Sequence, residues 1–127
     1  MQERQLYEYA VIRVMPRVER EEFLNVGVVL YCKSKKYLEA LYVVDQQRLG
    51  AFCNTCDAAE IETYLIAFKK ICTGNGDAGP ISLLQPAARF RWLTATRSTV
   101  VQTSKTHPGM CIDPADMLQK LFKDLVE

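Results

Sequence analysis

The closest-spaced pair of reactive side chains in this sequence is Cys53-Asn-Thr-Cys56. Two thiols at this spacing can form a redox dithiol or supply half of a zinc site. A redox pair of the thioredoxin kind sits just after a strand, with its thiolate at a helix N-terminus; here the motif follows a predicted helix. A zinc site as a rule takes four ligands, so Cys72, Cys111 and His107 would have to be gathered around the pair. Cys72 falls on the apolar stripe of a predicted helix, where a free cysteine behaves as a small hydrophobe. The expectation is therefore no metal and no cofactor, with the two thiols incidental neighbours of a helix cap.

A second cluster suits anions. From Ala78 to Ile112 there is no Asp or Glu, whereas Arg89, Arg91, Arg97, Lys105 and the only histidine, His107, all lie there. The first 77 residues are nearly balanced, with ten basic and eleven acidic side chains. A guanidinium presents a planar fork that fits phosphate or carboxylate, and Ser and Thr hydroxyls can complete the ring of donors. Arg97-Ser98-Thr99 is the densest such group, and Arg13, Arg17 and Arg20, on or just after the first strand, are placed to join it. The candidate anion-binding set is Arg13, Arg17, Arg91, Arg97, Ser98, Thr99 and His107. The competing reading is ordinary surface pairing with Glu19, Glu21 and Glu22, which is worth little. Phe90 and Trp92 in the same segment are expected in the core.

Nothing marks a catalytic residue. A nucleophile–histidine pair would have to use His107, whose setting Thr106-His-Pro-Gly109 reads as a turn, and no Ser or Cys stands out as its partner. Gly74-Asn-Gly-Asp-Ala-Gly79 lacks the preceding strand, the lysine and the following helix of a phosphate loop.

The elements that would position these groups are legible from periodicity. Tyr7–Met15 is rich in β-formers and stops at Pro16. Leu24–Cys32 is apolar on both faces, the mark of a central strand covered on both sides. Gly27 within it suggests a bulge or a close backbone approach. Lys33–Lys36 is a polar turn before a third strand, Tyr37–Val44, and the short connections favour an antiparallel meander. A short helix over Asp45–Phe52 precedes a stronger one over Ala58–Cys72. There Ile61, Tyr64, Leu65, Phe68, Ile71 and Cys72 repeat as one buried stripe. Asp57 is its N-cap, Glu60 stands in capping-box position, and Gly74 ends it. Pro86–Leu93 forms a short helix, Ser98–Ser104 a fourth strand. Asp113 caps a last helix with Pro114 in its first turn and Leu118, Leu121, Phe122 and Leu125 as its stripe. The fold class is α+β: an antiparallel sheet of about four strands with helices packed on it, in a single domain spanning residues 1–127.

Composition sets the outer limits. The 127 residues are 49% hydrophobic and 24% charged, with net charge +1. That is enough chain to bury a core and argues against disorder. A near-neutral total speaks against nucleic acid or an anionic membrane as partner. No apolar run approaches the ~20 residues of a membrane helix. The charged start MQERQLYEYA has no apolar signal core, and the cysteines number five, an odd count. These features predict free thiols in the cytoplasm.

Two blocks together resemble a known family. YEYAVIRVMPRVEREEFLNVGVVLYC (Tyr7–Cys32) is similar to the opening signature of a bacterial family catalogued as domain of unknown function 3037. RFRWLTATRSTVVQTSKTHPG (Arg89–Gly109) is similar to its later signature, and the ending DPADMLQKLFKDLV resembles it too. The chain departs from the pattern at Thr96, where a proline often stands, and at Lys105-Thr106, where Pro-Val usually precedes the histidine. The resemblance brings no activity, cofactor or catalytic residue. It does suggest an accessory role, because members of the family it resembles are often encoded near a kinase-like protein. With no convergent acid, base and nucleophile, the leading expectation is a non-catalytic interaction or accessory module with a protein partner. The alternative is a small enzyme or ligand-binding domain whose arginines hold a phosphate or carboxylate.

Overall fold

The computed structural model describes residues 3–16, 20, 22–74, 79–95 and 99–127. Three strands open the chain: β1 (Gln5–Val14), β2 (Leu24–Cys32) and β3 (Tyr37–Tyr42). Helices α1 (Gln46–Phe52), α2 (Ala58–Thr73) and α3 (Pro86–Leu93) follow, with a 3₁₀ turn over Pro80–Leu83 between the last two. Strands β4 (Val101–Thr103) and β5 (His107–Cys111) lead to α4 (Pro114–Leu125). The result is an α+β fold on a five-stranded sheet in which all recorded pairings are antiparallel.

The sheet runs β3-β2-β1-β4, and β5 also pairs with β1. Strand β1 is long enough to serve both partners: Ile12–Val14 faces β4 and Gln5–Tyr9 faces β5. Ser104 joins the two short strands. Its N–H donates to the Val11 carbonyl at 2.8 Å, and its Oγ accepts from the Val11 N–H at 2.8 Å. A side-chain oxygen thus replaces a ladder carbonyl, and the strand is offset there without orphaning a buried donor.

Both faces of the sheet are covered, as the two-sided apolar pattern of β2 requires. Ala10, Ile12, Val14, Val26 and Val29 pack under α2 and α3 with Leu65, Phe90 and Leu93. Tyr7, Val28, Leu30 and Cys32 pack under α4 with Leu118. Gly27 does what its place predicted on both counts. Ile12 pairs with Gly27 and Arg13 with Asn25, so Val26 is the extra residue of a bulge. A Cβ at Gly27 would stand 2.5 Å from the Leu41 carbonyl oxygen.

The helix termini follow local chemistry. Asp45, Asp57 and Asp113 each accept first-turn N–H bonds at α1, α2 and α4; such caps are worth about 1 kcal/mol apiece. Gly74 ends α2 at φ 75°, the left-handed conformation glycine adopts without a Cβ penalty.

Three expectations change. Strand β5 lies where a turn was expected. Pro108 pairs with Glu8 in a short strand at the margin of the sheet, where a missing N–H is tolerated. Tyr64 is 50% exposed although it sits on the α2 stripe, at the margin of that stripe beside a surface groove. Trp92 is 39% exposed while Phe90 is buried, so only one of these two aromatics belongs to the core. Among the described residues, no helix is long and apolar enough to cross a membrane.

Candidate functional site

The anion-binding candidates fall on several elements. Arg17, Arg97 and Ser98 lie outside the described residues. Arg13 is on β1, on the face opposite Ile12 and Val14, and its guanidinium carbon stands 3.9 Å from the Phe23 ring centroid, a cation–π contact. Burial lowers the pKa of Arg13, and its Nε is buried with no hydrogen-bond partner among the described residues. Arg91 is exposed on α3, across the sheet from Arg13. Thr99 donates its hydroxyl to the Val101 carbonyl at 2.7 Å. His107 is exposed on β5, its ring 5.3 Å from that of Tyr9, its cross-strand partner. Arg13 and Arg91 are therefore not brought together. Of the arginines near the set, Arg20 pairs with Glu22 at 3.0 Å, as the ordinary surface reading has it.

Arg89 has a structural task. It is buried, and its Nη1 donates to the carbonyls of Ile71 and Cys72, both at 2.8 Å. Those are carbonyls of the last turn of α2, of which Ile71 also accepts the Gly74 N–H at 3.2 Å, and a cation is favoured at that pole. A Cβ on Gly74 would lie 2.9 Å from the same nitrogen. The guanidinium thus ties α3 to the end of α2.

The concave feature best suited to a ligand is elsewhere. Between α2, α3 and β4 lies an apolar groove of about 290 Å³. Phe68, Ile71, Leu93 and Val101 form its interior, with Tyr64 and Trp92 half-exposed on its rim. Thr103 reaches into it, its Oγ1 buried and without a hydrogen-bond partner among the described residues. A larger depression of about 1230 Å³ between the start of β1, β5 and α4 is wide and mixes Glu3, Arg4, Lys35, Asp116 and Lys120, so it offers no single charge to a ligand.

The groove borders an open strand edge. Met15 N–H donates to Val100 O, and Ser104 N–H donates to Val11 O, so residues 100, 102 and 104 turn their ladder groups toward β1. The backbone N–H groups of Val101 and Thr103 and the Thr103 carbonyl therefore point away from the sheet. Among the described residues no strand pairs beyond β4. Val101 and Thr103 meanwhile place their side chains toward the groove, as the alternation of a strand dictates. The sequence carried one sign of this site: the α2 stripe holds more large apolar residues than the sheet can bury, and Tyr64 is the surplus.

Comparison with known proteins adds a family. The family model described as Protein of unknown function (DUF3037) matches residues 9–126. The chain belongs to this family. The match takes in all but the first two residues of the first block that resembled it and the whole of the second, and DUF3037 carries no activity in its description. No curated protein and no solved structure matches the chain. In this DUF3037 protein, the match also spans every element that builds the groove.

Proposed function

We propose that this DUF3037 protein is a non-catalytic interaction module that binds an extended segment of another protein along β4. The observation that carries this reading is the apolar groove beside a strand edge that, among the described residues, no other strand pairs. Outward N–H and C=O groups call for an extended backbone, since only a strand offers matching groups at that spacing. An apolar groove beside them calls for a bulky side chain on alternate residues of that strand. An edge this short is protected against indiscriminate pairing, so affinity must come from the groove. Among the described residues, no three His, Cys, Asp or Glu side chains gather to hold a metal, and no titratable group lines the groove interior. A kinase-like protein, suggested by the family resemblance, is one partner to examine.

Selection from a phage-displayed library of random peptides tests the reading. Enriched peptides should carry bulky apolar residues at alternate positions. They should lose at least about tenfold in affinity for Ala67→Glu, which places a charge on the lip of the groove, a change worth roughly 1.4 kcal/mol or more. Enrichment of peptides that bind Ala67→Glu and wild type equally, or no enrichment at all, contradicts it.

A further inference from the structure

The geometry points to Cys53 and Cys56 as a thiol–disulfide exchange site that takes small disulfides of the glutathione class, with Cys53 attacking and Cys56 resolving. The pair was expected to be incidental. In the fold, Cys53 is the C-cap of α1 and donates its N–H to the Leu49 carbonyl at 2.7 Å. Asn54 and Thr55 form a turn, and Cys56 directly precedes Asp57, the N-cap of α2. Both ends of the four-residue motif are thus pinned by helices, and the turn between them brings the two Sγ atoms to 2.7 Å with Cys56 donating.

The two thiols are not equivalent. Cys53 opens on a polar cleft of about 320 Å³ walled by Arg20 and Glu22. Cys56 packs against the core under α2. Hydrogen bonds from Cys56 and from Thr55 lower the pKa of the Cys53 thiol, whereas burial, with the bond to Cys53, pushes the Cys56 thiol up to about 11. A more acidic thiol facing a cleft beside a less acidic one packed against the core is the division of labour that exchange requires. The other three cysteines are buried, and burial pushes Cys72 up to about 12. Burial denies all three the access to compete.

The reaction balances without a metal or cofactor. The Cys53 thiolate attacks one sulfur of RSSR; the RS–SR bond breaks, a Cys53–SR bond forms, and RS⁻ leaves. Cys56 gives its proton to the released thiolate and attacks Cys53 Sγ. The Cys53–SR bond breaks, the second RS⁻ leaves and takes up the proton that Cys53 first lost, and the Cys53–Cys56 disulfide forms. The protein dithiol is oxidised by two electrons, and RSSR is reduced to two RSH.

The test exposes the full, reduced chain to glutathione disulfide, quenches with acid, alkylates and maps peptides by mass spectrometry. The expected product is a Cys53–Cys56 disulfide with Cys32, Cys72 and Cys111 still reduced. Cys56→Ser should stall as a glutathione mixed disulfide on Cys53. Cys53→Ser should react at Cys56 roughly tenfold more slowly or less still. Recovery of Cys53 and Cys56 as free thiols from wild type under excess oxidant overturns the proposal, as does equal reactivity of the two variants. Should a variant fail to fold, alkylation rates in wild type decide: Cys53 should outpace Cys56 by roughly tenfold, and equal or reversed rates contradict the assignment.

Discussion

Arg89 shows how far a residue's environment departs from its neighbourhood in sequence. In the sequence it stands among the cations of an acid-free segment and looks available to an anion. In the fold its guanidinium is committed to two carbonyls at the end of α2. A buried charged donor removed from two acceptors is expensive, so Arg89→Ala should lower stability by about 2–4 kcal/mol in a denaturant titration. Arg89→Lys should recover only part: one ammonium can donate to two carbonyls, as Nη1 does, but it sits on a shorter side chain. A loss below about half a kcal/mol would show the two bonds to be dispensable. Ser104 belongs to the same scale. Its hydroxyl satisfies the Val11 N–H and donates to the Lys105 carbonyl at 2.9 Å. Ser104→Ala leaves that buried donor unpaired and should cost about 1–3 kcal/mol, with faster amide exchange at Val11. Unchanged exchange at Val11 would mean that the β4–β5 offset closes without the serine. No local pattern announced either role, since both depend on partners far away in the chain.

Most elements were legible where periodicity is strong. Strand β2 and helix α3 appear with the expected ends, and the caps Asp57, Gly74 and Asp113 stand where composition put them. What failed was the reading of Pro108 and Gly109 as a turn. Both residues suit a margin strand instead. Gly109 pairs with Tyr7, whose ring would meet a Cβ there at 2.5 Å. The ring covers the glycine, so a residue that reads as punctuation is a packing requirement. The stripes were right in position and too generous in depth. Leu65 and Leu118 are fully buried, whereas Phe68 and Leu121 are half-buried at the margins of the two cores. Leu118→Ala should therefore cost about 2–5 kcal/mol and Leu121→Ala less, about 1–3 kcal/mol, by chemical denaturation. An equal cost would place Leu121 at the centre of the α4 interface.

At the scale of the molecule, the sheet is covered on both faces, and among the described residues no strand pairs with the outer edge of β4. The groove next to that edge was not legible in advance, because it needs α2, α3 and β4 in register, and only the surplus aromatic residue Tyr64 hinted at it. The proposed strand-addition site combines the groove with that edge, and the dithiol lies at the α1–α2 junction, where Cys56 lines a cleft with Tyr64 and Val100. The most direct test of strand addition is amide hydrogen exchange with and without a peptide enriched on the wild-type protein. The N–H of Gln102 already faces β1 and should be protected in both states. The outward N–H groups of Val101 and Thr103 should exchange fast in the free protein and slow by about tenfold or more in the complex. Thr103→Pro, which removes one outward donor and none of the β1 ladder, should weaken binding while leaving the fold intact. Protection confined to any other part of the surface, with Val101 and Thr103 unchanged, would contradict strand addition at β4.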